Sequence, residues 1–433
     1  MQCFSAQDAL GQKKDTVWTL QNCIQYALQQ NIQIRKTSLT NEINKVNEEQ
    51  VKQNRFPSVT ASASQDYNLA KPLGLDGKYG SYSGQNTSNF GITSSVVLYN
   101  GGKIKNSVKQ SELNYQAGKF DIETMKESIS LSILNAYLQI LYAEEQVKNS
   151  EKQVEVTADQ LRLADERVKL GAIARSDYLQ VKSQLASEKQ TLANAQSLLD
   201  IDRVTLMQLM ELPVLPNFSI DHPEFANLFS KNLTPNADSV FGIALAIKPQ
   251  IKSAELNKQS AQLNVNVAKA DLQPQLSLNA GINTGYTSIN NDLAYAYQIN
   301  NKISPSVGLT LSIPIYQNKK YRSKVEIAKI GTQTAELNET DTKNQLRKAI
   351  EQACVDVTTA EKKYQASLED YDASQESFQV ASEKYNQGLL NSVDYLIQKT
   401  NQITAESNLL QSKYNLIFSY KTLDFYSGVS LTL

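Results

Sequence analysis

The strongest constraint on the fold of this chain is an internal repeat with a constant offset of 217 residues (57 to 274, 171 to 388). A fixed offset over several anchors predicts two tandem copies of one structural unit. The matching pairs are Ala27-Leu28 and Ala244-Leu245, Pro57-Ser58-Val59 and Pro274-Gln275-Leu276, Gly91 and Gly308, Gly171 and Gly388, and Asp177-Tyr178-Leu179 and Asp394-Tyr395-Leu396. We predict an N-terminal tail or signal remnant at 1–17, a first repeat at 18–211, an irregular proline-rich linker or equatorial segment at 212–237, and a second repeat at 238–433.

Each copy contains a helical segment that is too long for an ordinary globular domain. Residues 103–168 lack proline, and Gly118 is their only glycine. At 1.5 Å per residue, a helix of this length would span roughly 100 Å. The matching segment, 319–385, carries apolar residues at alternating spacings of four and three, which is typical of a coiled coil: Leu346, Ile350, Ala353, Val357, Ala360 and Tyr364. We expect each long helix to end at a glycine, Gly171 or Gly388, and a shorter return helix to follow.

Upstream of each long helix, two short helices and two strands are predicted. The first short helices are expected at 18–31 and 239–247, and the second ones end before Pro57 and Pro274, because proline disfavours helix in the preceding residue. The strands show apolar and polar residues in alternation. Their apolar positions include Val59, Ala61, Ala63, Phe90, Ile92, Leu276, Leu278, Ile282, Val307, Leu309, Leu311, Ile313 and Ile315. Polar loops are expected at 71–89 and 287–304.

Four strands per chain are too few to form a closed membrane barrel. A sheet in lipid must close, because open edges leave backbone groups without hydrogen-bond partners. Since the smallest membrane barrels have about eight strands, several chains would have to share one barrel. Aromatic residues at the strand ends and in adjoining loops suit a membrane interface: Tyr67, Tyr82, Phe90, Tyr99, Tyr286, Tyr295 and Tyr316. The alternative is the edge of a soluble β-sandwich that packs on helices.

Composition excludes several other classes of function. Lys and Arg total 43, and Asp and Glu total 44. This charge balance does not favour binding to a polyanion, so no nucleic-acid partner is expected. The single histidine, His222, and the scattered cysteines Cys3, Cys23 and Cys354 show no metal-ligand spacing. No catalytic set and no phosphate-binding loop is present. We expect no enzyme, no cofactor and no metal. Cys3 is either a lipidation site or part of a truncated signal or ordinary tail.

Two motifs at the ends of the long helices carry a family resemblance. A basic residue is followed by glycine four positions later and aspartate six beyond that, in RVKLGAIARSDYL (167–179) and KYNQGLLNSVDYL (384–396). With the helix, strand, strand, long helix and return helix plan, the chain resembles the TolC family of outer-membrane efflux proteins over nearly its whole length. The resemblance implies a mixed, mainly α fold. It combines a tandem-repeat α-helical coiled-coil tunnel with four β-strands per chain that contribute to a shared twelve-stranded trimeric β-barrel.

The resemblance also implies a function and partners. The expected function is a passive trimeric duct from the periplasm to the exterior of a Gram-negative cell, in its outer membrane, for drugs, small molecules or secreted proteins. The implied partners are two further copies of the chain, outer-membrane lipid, a periplasmic adaptor (membrane fusion) protein and an inner-membrane pump of RND, ABC or MFS type. The alternatives are the exit duct of type I protein secretion and a structural coiled-coil protein of the envelope.

Candidate site residues lie in the two motifs. The resemblance places the adaptor-docking surface at the tips: Gly171, Ala172, Ile173, Gly388, Leu389 and Leu390. It places the pore constriction and gate at Asp177, Arg175, Tyr385 and Asp394. The glycines also suit a helix C-terminus. The aspartates follow Ser176 and Ser392, which we expect to cap the return helices, so each aspartate is either charge at a helix N-terminus or part of an acidic ring that favours cations.

Two positions depart from the family pattern at the closed end. Leu390 stands where the family latch has an arginine, and Ile397 stands where it has a second pore aspartate. We therefore expect a latch that is weaker or is differently wired, through Arg175 or Lys384.

Overall fold

The computed structural model describes residues 17–71, 77–223, 236–289 and 293–432. Most of the predicted tail, with Cys3, and residues 224–235 of the predicted linker lie outside these ranges. The first half of the chain forms α1 (Leu20–Gln30), α2 (Ile32–Gln53), β1 (Ser58–Ala70), β2 (Ser83–Tyr99), α3 (Lys103–Lys169) and α4 (Arg175–Leu209). The second half forms α5 (Ala237–Ile247), α6 (Pro249–Ala270), β3 (Gln275–Thr287), α7 (Tyr295–Asn301), β4 (Ser304–Ser312), α8 (Lys320–Asn386) and α9 (Ser392–Tyr426). The fold is mainly helical, as predicted.

The backbone repeats at the same offset as the sequence. The long helices α3 and α8 each have 67 residues and begin 217 positions apart (103 and 320). Two residues with positive φ precede each of them: Gly101 and Gly102 before α3, and Asn318 and Lys319 before α8. Glycine adopts this left-handed conformation readily, whereas lysine does so rarely. The two strand-to-helix turns therefore share a backbone path even where the residue types differ.

The four strands form one antiparallel sheet in the order β1-β2-β3-β4. The register aligns apolar residues across all strands on one surface, the apolar face. One row of this face is Val59, Ser94, Ala280 and Val307, and the next is Ala61, Ile92, Ile282 and Pro305. Most of its large side chains are exposed. Because side chains alternate along a strand, the opposite surface collects the polar residues.

This polar face carries a row of side-chain hydrogen bonds across three strands. The Ser95 hydroxyl donates to Asn279 Oδ1 at 2.8 Å, and Asn279 Nδ2 donates to Thr310 Oγ1 at 3.0 Å. The Asn283 side chain lies over Gly91, where an added Cβ would be 2.5 Å from Asn283 Oδ1. Glycine at position 91 thus leaves room for an amide on this face. The strands β1 and β4 are the two edges of the sheet.

Three details of the strand region differ from the prediction. Strand β2 begins at Ser83 rather than near Phe90, because the polar residues 83–89 pair in full with β1 although they lack apolar alternation. Strand β4 ends at Ser312 rather than Ile315, since Pro314 has no N–H to donate to a ladder. The predicted loop 287–304 contains the short helix α7.

A buried side chain of helix α7, that of Gln298, bonds the helix to β3. The carboxamide of Gln298 accepts from the Thr287 backbone N–H at 3.1 Å and donates to the Thr287 carbonyl at 3.1 Å. It thereby satisfies the backbone groups of a β3 residue that has no β4 partner. Composition alone gives no signal that a glutamine makes this contact.

The described residues divide into two compact units. The first unit, called the hairpin unit, comprises the described parts of Met1–Ser38, Phe120–Ile251 and Asp341–Leu433; the second, called the sheet unit, comprises the described parts of Leu39–Lys119 and Lys252–Thr340. Each unit contains chain from both predicted repeats. The repeat boundaries at 18–211, 212–237 and 238–433 therefore stay a prediction about the sequence.

The hairpin unit contains the main hydrophobic core. Buried residues of α3, among them Ile133, Tyr137 and Leu141, pack with Cys23 and Ala27 of α1. A second cluster contains four heptad positions of α8 that the sequence singled out, Leu346, Ile350, Val357 and Ala360. A fifth heptad position, Ala353, is also buried. The burial of these positions explains why the heptad pattern is present.

The sheet unit has close helix packing and one bridging carboxylate. Asn41 of α2 lies against Gly118 of α3, where an added Cβ would meet Asn41 Oδ1 at 2.2 Å. Asp271 lies 2.6 Å from Lys103 Nζ and 3.1 Å from Lys324 Nζ. Burial alone would raise the pKa of Asp271, but the hydrogen bonds from both lysines outweigh it and lower that pKa. Among the described residues, no helix is both long enough and apolar enough to cross a lipid bilayer.

Candidate functional site

The candidate site lies at the tips of two helical hairpins in the hairpin unit, α3–α4 and α8–α9. At the first tip, the Ala172 N–H donates to the Arg167 carbonyl at 2.8 Å, and the Gly171 N–H donates to the Val168 carbonyl at 3.0 Å. Gly171 has φ of +73°, and Gly388 has φ of +76° with the equivalent pair of hydrogen bonds. This is the Schellman arrangement, in which a left-handed glycine satisfies the last carbonyls of a helix.

Replacing either tip glycine by alanine should destabilise its hairpin. An added Cβ at Gly171 or Gly388 meets nothing within 4 Å, so the penalty comes from the backbone conformation alone. That penalty is about 1–2 kcal/mol, partly offset by a stiffer unfolded chain, which leaves about 1 kcal/mol. Thermal unfolding followed by the helical circular dichroism signal measures the change.

A matched control for the tip glycines exists in the interior of α8. Gly331 also has nothing within 4 Å of an added Cβ, and its φ is not in the left-handed region. Gly331→Ala should therefore stabilise the protein by about 0.5–1 kcal/mol through helix propensity. Equal shifts for Gly171→Ala and Gly331→Ala would contradict a conformational role for the tip glycine.

The return helices are not capped as the sequence predicted. Their N-cap residues are Ala174, which makes no side-chain cap bond, and Asn391, whose side chain accepts from the Asp394 N–H at 2.9 Å. Ser176 and Ser392, the predicted caps, lie inside the first helical turn, because α4 begins at Arg175 and α9 at Ser392. An N-cap residue has extended backbone angles. These angles occur at Ala174, two residues before Ser176, and at Asn391, one residue before Ser392.

Ser392 instead joins the two tips. Its side chain is buried, and its Oγ lies 2.8 Å from both Asp177 Oδ1 and Gln180 Oε1, so it donates to one of these acceptors on α4. Asp177 is half-buried at this contact, whereas Asp394 is exposed and accepts from Asn391 Nδ2 at 2.8 Å. The two aspartates, which occupy equivalent positions in the repeat, therefore have different environments.

The other predicted gating residues make contacts of different kinds. Tyr385 stacks on Tyr395 with ring centroids 4.6 Å apart, and burial raises the pKa of both hydroxyls, that of Tyr395 to about 12. Arg175 lies over the ring of Tyr178, 4.9 Å from its centroid, on its own helix. Lys384, Leu390 and Ile397 line one groove near the end of the second hairpin, and the predicted gating residue Asp394 lines it with them. Leu390 and Ile397 therefore lie in a groove that also contains charged side chains, those of Lys384, Asp394 and Glu376.

The exposed tip surface contains one residue that the sequence reasoning missed. Leu170 is 83% exposed and Leu389 is 72% exposed. Gly171, Ala172 and Gly388 are also exposed, while Ile173 and Leu390 are half-buried. Leu170 was identifiable as an apolar residue directly before the turn glycine, where the paired helices cannot cover it. Each of the two short turns therefore exposes one apolar leucine side chain.

Metal binding and thiolate chemistry both depend on which side chains the described residues bring together. Within the described ranges, no group of three or more His, Cys, Asp or Glu side chains is placed to hold a metal ion. Cys23 and Cys354 are buried free thiols, and burial raises the pKa of Cys23 to about 12. A high pKa leaves the thiol protonated and unreactive at neutral pH.

Comparison with known proteins gives one family. The sequence model of the outer membrane efflux protein family matches residues 23–211 and 240–429. The outer membrane efflux protein BepC of Brucella suis biovar 1 (strain 1330) is 20% identical over 369 residues, which cover 85% of this chain and 76% of BepC.

Solved structures give the same fold. The crystal structure of CusC superposes with a TM-score of 0.81 at 18% identity, covering 95% of this chain and 92% of CusC. The CmeC outer membrane channel of Campylobacter jejuni superposes with a TM-score of 0.80 at 19% identity, covering 94% of this chain and 85% of CmeC. At these identities the likeness establishes the architecture.

Proposed function

The chain belongs to the outer membrane efflux protein family, and from this we propose that three copies of it form a passive duct that receives exported molecules from a pump. As a member of this family it is an efflux channel protein of the outer membrane. The finer proposal rests mainly on one observation: a four-stranded sheet with an apolar face, a polar face and two open edges. Such a sheet meets the requirements of a lipid-facing barrel only when other copies complete it.

Three copies would supply twelve strands. Edge β4 of one chain would then pair with edge β1 of the next, and the apolar faces would turn towards lipid. The row formed by Ser95, Asn279 and Thr310 would line the aqueous lumen.

A second feature that supports a trimer lies on α2 of the sheet unit. Leu39, Ile43 and Val46 are 58%, 61% and 62% exposed, and their spacing of four and three forms a heptad stripe. Ile327, Ile330 and Leu337 form a similar exposed stripe on α8. Apolar stripes of this kind need a partner helix, and neighbouring copies of the chain would provide it.

The hairpin tips support a docking role. Leu170 and Leu389 expose apolar surface beside the rigid Schellman turns of Gly171 and Gly388. We propose that a periplasmic adaptor binds there, and that an inner-membrane pump of RND, ABC or MFS type supplies the energy, because the sequence contains no phosphate-binding loop. The duct itself would catalyse no reaction.

Asp394 is proposed to set the charge preference of the closed end, together with Asp177, Arg175 and Tyr385. Asp394 is exposed, and in a trimer it would occur three times around one axis. A ring of carboxylates favours cations in a pore. We expect Asp394→Asn, alone or with Asp177→Asn, to move the reversal potential in a salt gradient towards zero. Unchanged reversal potentials would remove the acidic ring from the proposal.

Planar-bilayer recording tests the duct itself. Purified trimer should give reproducible single-channel currents in KCl, because a lumen lined by hydroxyl and amide groups conducts ions. A folded trimer that remains silent would contradict the duct and favour a structural coiled-coil protein of the envelope. Crosslinking from cysteines placed at Leu170 and Leu389 in native cells, followed by mass spectrometry, would identify the adaptor.

A further inference from the structure

The end of the sheet that joins the long helices carries an excess of positive charge. β1 and β3 begin at this end and β2 and β4 finish there, where Tyr99 pairs with Leu276 and Leu276 with Leu311. The ten positions next to each strand at this end contain nine Lys or Arg and three Asp or Glu: 48–57, 100–109, 265–274 and 313–322. The segments that connect β1 to β2 and β3 to β4 contain three Lys and two Asp: 71–82 and 288–303. The positive charge is therefore concentrated at the helix end of the sheet.

The basic positions at this end occur in both copies of the repeat. Three pairs of Lys or Arg residues are separated by the repeat offset of 217: Lys52 and Lys269, Lys103 and Lys320, and Lys105 and Arg322. We call these six residues the basic collar. The first pair lies in the last turns of α2 and α6, and the other two pairs lie in the first turns of α3 and α8. Each copy therefore presents the same three charges at the same end of the sheet.

The helices themselves do not explain the collar charges at the starts of α3 and α8. A helix N-terminus carries partial positive charge, which favours acidic side chains in the first turn and disfavours basic ones. Neither long helix has an acidic residue in its first turn, and the collar places two basic residues in each of these turns. An anion from outside the chain would be attracted both by the side chains and by the helix termini.

Most of the collar lacks a counterion within the chain. Lys52 Nζ lies 2.5 Å from Glu48 Oε1. Lys103 Nζ lies 2.6 Å from Asp271 Oδ1. The other four collar residues are exposed, and within the described part of the chain they form no ion pair: Lys105, Lys269, Lys320 and Arg322. These four cations are available to a partner.

Exposed aromatic and apolar side chains lie beside the collar in sequence. Phe56, just before β1, is 64% exposed, and Tyr99, the last residue of β2, is 52% exposed. Beyond β4, Ile315 and Tyr316 are 94% and 77% exposed. Aromatic rings next to Lys and Arg are typical of the boundary between the hydrocarbon core of a membrane and its headgroups. The collar therefore lies where the phosphates of a bilayer would be if the apolar face contacts lipid.

We propose that the basic collar binds the phosphate groups of anionic glycerophospholipids in the periplasmic leaflet of the outer membrane. This rests on the proposed function, which places the apolar face in lipid and the helices in the periplasm. Lys and Arg side chains close to a membrane surface attract anionic lipids, and the attraction falls off within a Debye length of about 10 Å. The position of the collar, directly next to the strands, meets this requirement. Binding would fix the depth of the barrel in the membrane.

The lipid preference of the purified trimer tests the collar. The trimer in detergent is mixed with equal amounts of dioleoyl phosphatidylglycerol, which is anionic, and dioleoyl phosphatidylcholine, which is zwitterionic, and the bound lipids are counted by native mass spectrometry. We expect the wild type to prefer phosphatidylglycerol by at least about fivefold, the effect of one cation near an anionic surface. A parallel measurement replaces phosphatidylglycerol by lipid A, the phosphorylated lipid of the outer leaflet.

The collar variant removes the four unpaired charges. Its side chains are exposed, so their replacement creates no cavity, and loss of positive charge at a helix N-terminus does not destabilise the helix. The preference for phosphatidylglycerol should fall below about twofold, because the remaining collar lysines are bonded to carboxylates within the chain. The substitutions are Lys105→Gln, Lys269→Gln, Lys320→Gln and Arg322→Gln.

Two control variants separate the collar from net charge and from side-chain identity. The first removes four exposed lysines of α3 and α4 in the hairpin unit and should retain the wild-type preference: Lys148→Gln, Lys152→Gln, Lys182→Gln and Lys189→Gln. The second keeps the collar charge and should also retain the preference: Lys105→Arg, Lys269→Arg and Lys320→Arg. Helical signal and trimer size are measured for every variant.

Several outcomes would overturn the collar. These are a wild-type trimer without a preference for phosphatidylglycerol, a collar variant that keeps the preference, and a hairpin-unit control that loses it equally. A collar variant that keeps the lipid preference but changes the reversal potential in a KCl gradient would assign these charges to the lumen. A stronger preference for lipid A would overturn the choice of leaflet.

Failure of the collar is distinguishable from failure of the duct. A wild-type trimer that conducts in planar bilayers but shows no lipid preference overturns the collar alone. A silent trimer that prefers phosphatidylglycerol, and loses this preference in the collar variant, supports the collar and contradicts the duct.

Discussion

Val307→Arg is expected to abolish insertion of the protein into the outer membrane, whereas Ser306→Arg, the adjacent change, should be tolerated. Val307 is 78% exposed in the middle of β4 and lies on the apolar face opposite Ala280. Ser306 lies on the polar face opposite Gly281, which leaves space for a longer side chain. An arginine on the lipid face near the bilayer midplane costs about 2–4 kcal/mol, and a trimer would contain three of them.

The two variants of β4 form a matched pair because they differ only in the face of the same strand. The measurement is the fraction of protein that resists protease and migrates as a folded oligomer without heating, in isolated outer membranes. The apolar face is expected to contact lipid and the polar face to contact water. Equal loss for Ser306→Arg and Val307→Arg would contradict this assignment of the faces.

The double variant Ile43→Gln, Val46→Gln is expected to dissociate the trimer while each protomer keeps its helices. Both side chains are exposed in the single chain, so their removal creates no cavity within it. If neighbouring copies bury them, each contributes about 1.5–3 kcal/mol, and each occurs three times. Light scattering after gel filtration in detergent gives the oligomeric mass, and circular dichroism gives the helix content.

The control for the α2 stripe changes two exposed polar residues of the same helix. Glu42→Gln, Lys45→Gln leaves the net charge unaltered and does not touch the apolar stripe. The trimer should persist, because changes on a solvated helix surface usually alter stability by less than about 0.5 kcal/mol. A trimer that withstands the loss of Ile43 and Val46 as well would place the protomer interface elsewhere.

The sequence predicted the large elements because their patterns are local. Alternation around Val59 and Leu278 identifies strands, and the heptads around Ile350 and Val357 identify a coiled-coil helix. The tip glycines were also predicted from a local pattern, since a helix end that needs positive φ selects glycine. Each of these signals depends on neighbours within a few residues.

The sequence did not predict features that depend on distant partners. The extension of β2 to Ser83 relies on pairing with β1, and helix α7 relies on the contact of Gln298 with Thr287. The caps were assigned to Ser176 and Ser392, although Ser392 instead bonds α4 of the other hairpin. A serine or glutamine has several possible partners, and only the fold decides among them.

The sequence by itself determined the duplicated plan: its offset of 217 residues, its long helices, its four alternating strands and its glycine turns (171 and 388). These follow from periodicity and backbone preference, which are properties of short segments. Only the tertiary structure decided how the strands align to form an apolar face and a polar face, and how the surroundings of the two tip aspartates differ. It also decided that Lys399 and Glu188 form a buried ion pair. The physical reason is that burial and ion pairing join residues more than 200 positions apart in sequence (188 and 399), and no local pattern records such a pairing.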